Sequence, residues 1–345
     1  MPNNTELELT GAHTTAAATE NGAVPGEEIE VVKAPDAKPS RVVRFGRYLK
    51  NNPKFTVGLS IVIAVVAFSF VAPFFTQNPR FYDNPAYDPP SADHLLGTTK
   101  LGHDMLAQLA HGSRGSLIVG VTAGVIAVIL SVLFGVVGGY LGGWTDEILS
   151  LFTSVMLVIP GLPLAIVLSA YLSSRSLWLV ALVLAITGWA GSAIVLRSQA
   201  RSLRTRDYVY AARVAGERPL RIITVEILPN LLPLVAAQFL FALILAILGE
   251  AGLSYLGLGP TGSITWGTIL NQAQTGGALT MGAWWWFIPP GIMIALVGGG
   301  LSLINFSIDE IINPKLRFAP EAAKRARKIE KRLEKRQAKK AKVAA

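Results

Sequence analysis

Hydrophobic and polar positions along this chain fall into long uniform blocks rather than short alternations. Residues 57–75 (VGLSIVIAVVAFSFVAPFF) carry no charge. At about 1.5 Å of rise per residue they reach across a hydrocarbon core roughly 30 Å thick. Similar blocks at 117–140, 148–172, 177–196, 231–248 and 287–308 predict six transmembrane helices and an all-α membrane protein. The third block is interrupted by Pro160, Gly161 and Pro163. Broken helices persist at membrane depth where neighbouring helices or a water-lined cavity satisfy the freed backbone groups, which makes these three residues pathway candidates, with a simple packing kink as the competing reading. In the second block Gly120 and Gly124, then Gly135 and Gly139, have the spacing of close helix approach. Packing within the chain and a subunit interface both suit that pattern.

The polar stretches divide the rest. Residues 1–40 lack apolar periodicity and the basic-then-apolar start of a secretory signal, and read as a disordered tail. Residues 41–56 are basic with Phe45 and Tyr48 interleaved, either an interfacial helix on the inner leaflet or a plain charged flank. The six-span domain then covers 57–318, and 319–345 is a basic tail suited to anionic headgroups. Between spans, 76–114 is loop-like, with a short helix suggested by HDMLAQLAHG, and 249–286 is too polar and glycine-rich to cross. Trp284, Trp285 and Trp286 are expected to mark a membrane interface ahead of the sixth span.

Within the domain, 198–230 and the residues just after it stand out as polar and arginine-rich: DYVYAARVAGERPLRIITVEILPNLLP starts at Asp207. Tyr208 to Ala215 are helix-compatible, Gly216 can leave the helix with positive φ, and Pro219 suits the first position of the next. Two short helices joined at Gly216 are predicted. Ala211 and Ala212 would give the first a shallow face for close approach by another protein, ringed by arginine.

Composition agrees with the blocks: of 345 residues, 51% are hydrophobic and 15% charged, the profile of a multi-span membrane protein. The net charge of +9 does not indicate nucleic acid, because the basic residues flank apolar blocks and crowd the C-terminal end. Of the 31 Lys and Arg residues only Arg80, Lys100, Arg114 and Arg175 fall on one side of the six-span arrangement. The positive-inside rule therefore places both termini and the hairpin in the cytoplasm of a multi-pass plasma-membrane protein.

The chemistry is sparse. There is no cysteine, and His13, His94, His103 and His111 match no metal-site spacing. No block carries an acidic or basic residue in its core, which weakens an ion-coupled carrier. Glu250, Asp309 and Glu310 lie just beyond spans, where capping or interfacial roles are expected. The sequence has no G-x-x-x-x-G-K-[ST] loop and no G-x-S-x-G or H-E-x-x-H signature. The chain reads as a non-enzyme that binds no cofactor, so energised work would draw on ATP used by a partner.

The hairpin resembles the EAA loop of binding-protein-dependent ABC importer permeases, Glu-Ala-Ala, three residues, Gly, nine residues, Ile, any residue, Leu-Pro. Ala211, Ala212, Gly216, Leu228 and Pro229 match; Tyr210 stands in place of the Glu and Glu226 in place of the Ile. LLGTTKLGHDMLAQLAHGSRGSLIVG, GYLGGWTDEIL, DYVYAARVAG, SYLGLG, WGTIL and NPKLR are similar to the C-type subunit of dipeptide and oligopeptide permeases, over about residues 41–318. Thr99 and His103 replace that branch's usual Asp and Arg. The resemblance implies the type I ABC importer permease fold, six spans with a cytoplasmic coupling hairpin. It also implies a second permease subunit, ATP-binding subunits and an extracytoplasmic substrate-binding protein as partners, beside the lipid membrane. Asp207, Tyr208, Ala211, Ala212, Gly216, Leu228 and Pro229 would then couple to the ATPase, and the cargo would be oligopeptides or a similar solute. An ATP-independent channel or secondary carrier, and a scaffold subunit, are the other classes.

Overall fold

A computed structural model describes Leu49 and residues 52–172 and 174–312. The expected tails 1–40 and 319–345, and most of the basic segment 41–56, lie outside the described residues. The described chain is a helical bundle. Helix α1 is Pro53–Val71, with Pro53 in the first turn, where its missing N–H is no loss. Helix α2 runs from Met105 to Leu141 through a π turn at Val132–Val136. Helices α3 (Gly143–Val158) and α4 (Gly161–Tyr171) meet at 84°, and α5 (Leu177–Gly188) and α6 (Ala190–Arg204) at 49°. The short α7 is Asp207–Val214, and α8 is Pro219–Tyr255. The short α9 (Trp266–Thr275) and then α10 (Trp284–Ile312) complete the order. Four unbroken helices are long and apolar enough to cross a membrane, and counting each bent pair as one span gives the six expected.

Several helix ends differ from the sequence-based expectation, each at a contact with a part of the chain distant in sequence. The predicted short helix at HDMLAQLAHG and the second span are one helix. Asp104 starts it by accepting the Ala107 N–H at 2.8 Å. Its polar GSRGS stretch is then covered by the segment leading into α9: a Cβ on Gly115 would lie 2.3 Å from the Ile264 carbonyl oxygen. The hydroxyls of Ser113 and Ser116 accept the indole and backbone N–H groups of Trp266, both at 3.0 Å. The fourth span also breaks, at Trp189. The Trp189 carbonyl accepts a bond from Ser131 of α2 at 2.8 Å, and its ring packs on Phe134 and Phe152.

The tryptophan cluster needs a similar correction. Trp285 and Trp286 are buried, and only Trp284 is exposed as an interface residue would be. The loop before α2 folds over this end of the bundle; Trp285 Nε1 donates to the Thr98 carbonyl at 3.1 Å, and Trp286 meets the edge of Tyr87.

Helices α2 and α8 pair along the centre, Val119, Ala123 and Ala127 packing with Ala242 and Ala246. Helices α1 and α10 flank them, tied at one end by Lys54 Nζ to Glu310 Oε1 at 2.8 Å. The four α2 glycines at close-approach spacing serve packing within the chain: Gly120 and Gly124 face Leu243 of α8, whereas Gly135 and Gly139 face the carbonyls of Ala193 and Arg197 on α6. A Cβ at Gly135 would lie 2.4 Å from the Ala193 oxygen. Backbone cannot yield as a side chain can. Gly135→Val is expected to destabilise by about 1–3 kcal/mol or more, read as a lower melting temperature of the purified protein. Parental melting would contradict this packing.

Candidate functional site

The hairpin turns where the sequence places it. Gly216 has φ +79°, a conformation open to glycine at no steric cost. Its N–H donates to the Arg213 carbonyl at 3.1 Å, and the Glu217 N–H to the Ala212 carbonyl at 3.1 Å, so the end of α7 leaves few orphan acceptors. Pro219 then opens α8. The second arm is not a short helix, however; it is the start of α8 itself. Pro229 has no N–H for the carbonyl one turn back, and a π turn at Ile222–Ile227 carries the helix past this point without interruption.

Between the arms lies a groove of about 440 Å³. Tyr208, Ala211 and Ala212 of α7, with Ala215 just past its end, form one wall, and Arg221, Val225 and Glu226 of α8 the other. The small alanine side chains leave the space open. Beneath it, Val209, Ile222 and Ile227 are fully buried against Leu196 and Ala200 of α6 and Val136 and Tyr140 of α2. Arg213 lies over the Tyr140 ring, and Arg221 donates to Glu217 at the groove's edge. Of the sequence candidates, Tyr208, Ala211 and Ala212 line the groove. Asp207 sits in the exposed first turn of α7, where a carboxylate suits the helix N-terminus. Gly216 makes the turn, and Leu228 and Pro229 lie on α8 outside the groove.

Just ahead of the hairpin, the buried Asp146 in the first turn of α3 accepts bonds from Arg197 Nε at 2.5 Å and Arg201 Nη2 at 2.6 Å. The sequence reading did not single out this clamp. Its only local signal is two arginines at i and i+4 on one helix face; the acidic partner lies 51 residues before the first of them.

At the break between α3 and α4, Ile159 and Pro160 are extended. Gly161 joins Ala127 of α2, Thr187 and Gly188 of α5 and Ala246 and Gly249 of α8 around a cavity of about 320 Å³. Pro160 and Pro163 are exposed and do not line it. The cavity is apolar, and the Thr187 hydroxyl is spent on its own helix. Glu250 overturns the expectation of a capping or interfacial role: it is fully buried inside α8 and accepts bonds from Ser116 and Ser254. No group of three His, Asp or Glu residues among the described residues could hold a metal ion.

A family model described as the binding-protein-dependent transport system inner membrane component matches residues 127–318. A Brucella abortus protein named as a peptide transport system permease is 33% identical over 82% of this chain and 95% of its own length. The oligopeptide transport system permease protein OppC of Bacillus subtilis is 32% identical over 78% of this chain and 88% of its own. The dipeptide transport system permease protein DppC of the same organism is 31% identical over 79% and 85%. With the helical bundle and hairpin described above, the chain belongs to the binding-protein-dependent transport system inner membrane components, as a permease subunit of an ABC importer with the type I fold.

Proposed function

We propose that the groove between α7 and α8 is where an ATP-binding subunit docks, and that this chain with a second permease forms the pathway for peptides delivered by an extracytoplasmic substrate-binding protein. The observation that carries this is the continuity of α8. One arm of the groove is the first turns of a helix that runs on to Tyr255, about 55 Å at 1.5 Å per residue. Movement of the groove is therefore movement of a helix lining the apolar cavity at Gly161. The buried contacts of Val209, Ile222 and Ile227 make the hairpin a lever rather than a loose loop. ATP closure of the partner subunits would swing α6 and α8 and alternate access between the permeases. No bond is made or broken in this chain.

The positive-inside count supports a cytoplasmic hairpin and cytoplasmic termini, with 57–318 as the permease domain. Peptide cargo is supported by the names of the relatives.

Gly216 provides the test. Nothing lies within 4 Å of a Cβ built there, so a substitution meets strain at positive φ and no clash. Asn tolerates that region and a β-branched residue does not. Gly216→Val is expected to lower ATP-dependent uptake at least about tenfold at normal membrane insertion, and Gly216→Asn to stay within about threefold. Normal uptake by the Val variant, at normal expression, would sink the proposed coupling role.

A further inference from the structure

At the end of the bundle remote from the hairpin, a second open pocket of about 380 Å³ has a different character. Arg80 and Arg175 face it across the 257–263 loop. Arg80 donates to the Gly262 carbonyl and Arg175 Nη1 to the Gly257 carbonyl at 3.0 Å, both neutral acceptors. Neither guanidinium has a carboxylate partner among the described residues. The pocket lining contains no Asp or Glu. Gln108 adds an independent sign. It is 3% exposed and lines the same pocket. Its amide nitrogen donates to the Pro79 carbonyl, while its Oε1 is buried without a hydrogen-bond partner. The site thus offers an acceptor for a donor and two guanidiniums for an anion.

We infer that this pocket receives an acidic side chain of the substrate-binding protein, its carboxylate on Arg80 and Arg175 and an adjacent backbone N–H on Gln108 Oε1. The inference rests on the importer reading above, which puts this end outside the cytoplasm. A carboxylate meets arginine's fork of donors with charge-assisted bonds, and a residue in a protein loop carries carboxylate and N–H side by side. The binding protein fits better than free cargo for two reasons. The family is binding-protein-dependent, so cargo arrives held by another protein. In addition, the pocket is separate from the apolar cavity at Gly161 and shares no lining residue with it. The site also reaches the machinery. Ser254 at its wall donates to Glu250 at 2.5 Å within α8, the helix whose other end forms the hairpin groove.

The test uses the complete importer in nanodiscs, with ATP hydrolysis followed as the binding protein that stimulates it is titrated. Arg80→Glu and Arg175→Glu, separately and together, are expected to raise the half-saturating binding-protein concentration at least about tenfold, and Gln108→Leu about three- to tenfold. Arg80→Lys, which keeps the charge but loses the fork, should raise it less than Arg80→Glu does. Should a Glu variant fail to assemble, the parent complex still decides: its half-saturating concentration must rise steeply between about 50 and 200 mM salt, as screening weakens a charged contact. A salt-independent parent, or a double Glu variant saturating at the parental concentration, overturns the inference. So does a variant whose binding-protein titration is parental but whose peptide requirement rises, which would assign the pocket to cargo. If the parent is stimulated by no binding protein, the importer reading falls and takes this inference with it; parental stimulation with unaffected variants removes this inference alone.

Discussion

Replacing Asp146 with Asn should cost the folded protein about 1.5–3 kcal/mol, the usual worth of hydrogen bonds to a charged group. The carboxylate is buried and both of its oxygens are occupied, one by Arg197 and one by Arg201. The amide keeps the shape but offers a single acceptor and no charge. It also turns an N–H group toward a guanidinium. The arginines should not be equivalent. Arg197, with a side chain 23% exposed, loses much of its hydration, so Arg197→Ala should approach the Asp146 effect. Arg201, 58% exposed, stays in water, and Arg201→Ala should remain within about 1 kcal/mol. Thermal unfolding of the three purified variants measures this order. Uptake should fall together with stability in Asp146→Asn, because α6 leads from the clamp into the hairpin. An Asn variant that melts with the parent, or an Arg201 effect equal to that of Arg197, would show that the clamp is a solvated surface pair instead.

The contrast between that clamp and the hairpin turn shows what a sequence can disclose. Gly216 and Pro219 act locally: positive φ and a missing N–H depend on one residue and its neighbours, so the turn was legible, as were the apolar blocks. Helix limits were not, because they depend on partners distant in sequence. The GSRGS stretch of α2 stays helical because Trp266, about 150 positions away in the chain, donates to its serines. Trp189 interrupts the fourth span where Ser131 engages its carbonyl. Trp285 and Trp286 have the composition of an interface belt, but a loop closing over them converts them into core. The glycine spacings on α2 announced close approach without naming the neighbour, which proved to be α6 and α8. At the candidate site, Ala211 and Ala212 were visible as small residues beside a turn. The opposite wall of the groove, at Val225 and Glu226, depends on a π turn that carries α8 past Pro229. The fifth block ended at Leu248 by composition because a carboxylate follows, and that residue belongs to the buried interior instead.

For Glu250 the expected result is a split between two substitutions. The Trp266 N–H donates to Ser116 Oγ at 3.0 Å, the Ser116 hydroxyl donates to one Glu250 oxygen at 3.2 Å, and the Ser254 hydroxyl donates to the other at 2.5 Å. Three segments, α2, α8 and the start of α9, are joined through one side chain. Gln keeps most of this network: its carbonyl accepts from Ser254, and its NH₂ donates to Ser116, whose oxygen has a second lone pair for Trp266 and whose O–H turns to a carbonyl of its own helix. Glu250→Gln should therefore melt within about 1 kcal/mol of the parent and transport within about threefold. Leu fills the volume but supplies no partner. Both serines must then turn back to carbonyls of their own helices, and the tie between α2 and α8 is lost. Glu250→Leu is expected to cost at least about 2 kcal/mol and to reduce uptake more than its stability loss explains, since it frees the far end of the helix that carries the hairpin. Melting curves beside uptake in the same membranes decide the matter. Parental uptake by the Leu variant would remove Glu250 from the force path, and a Gln variant as inactive as Leu would show that the carboxylate itself, rather than its place in the network, is what transport requires.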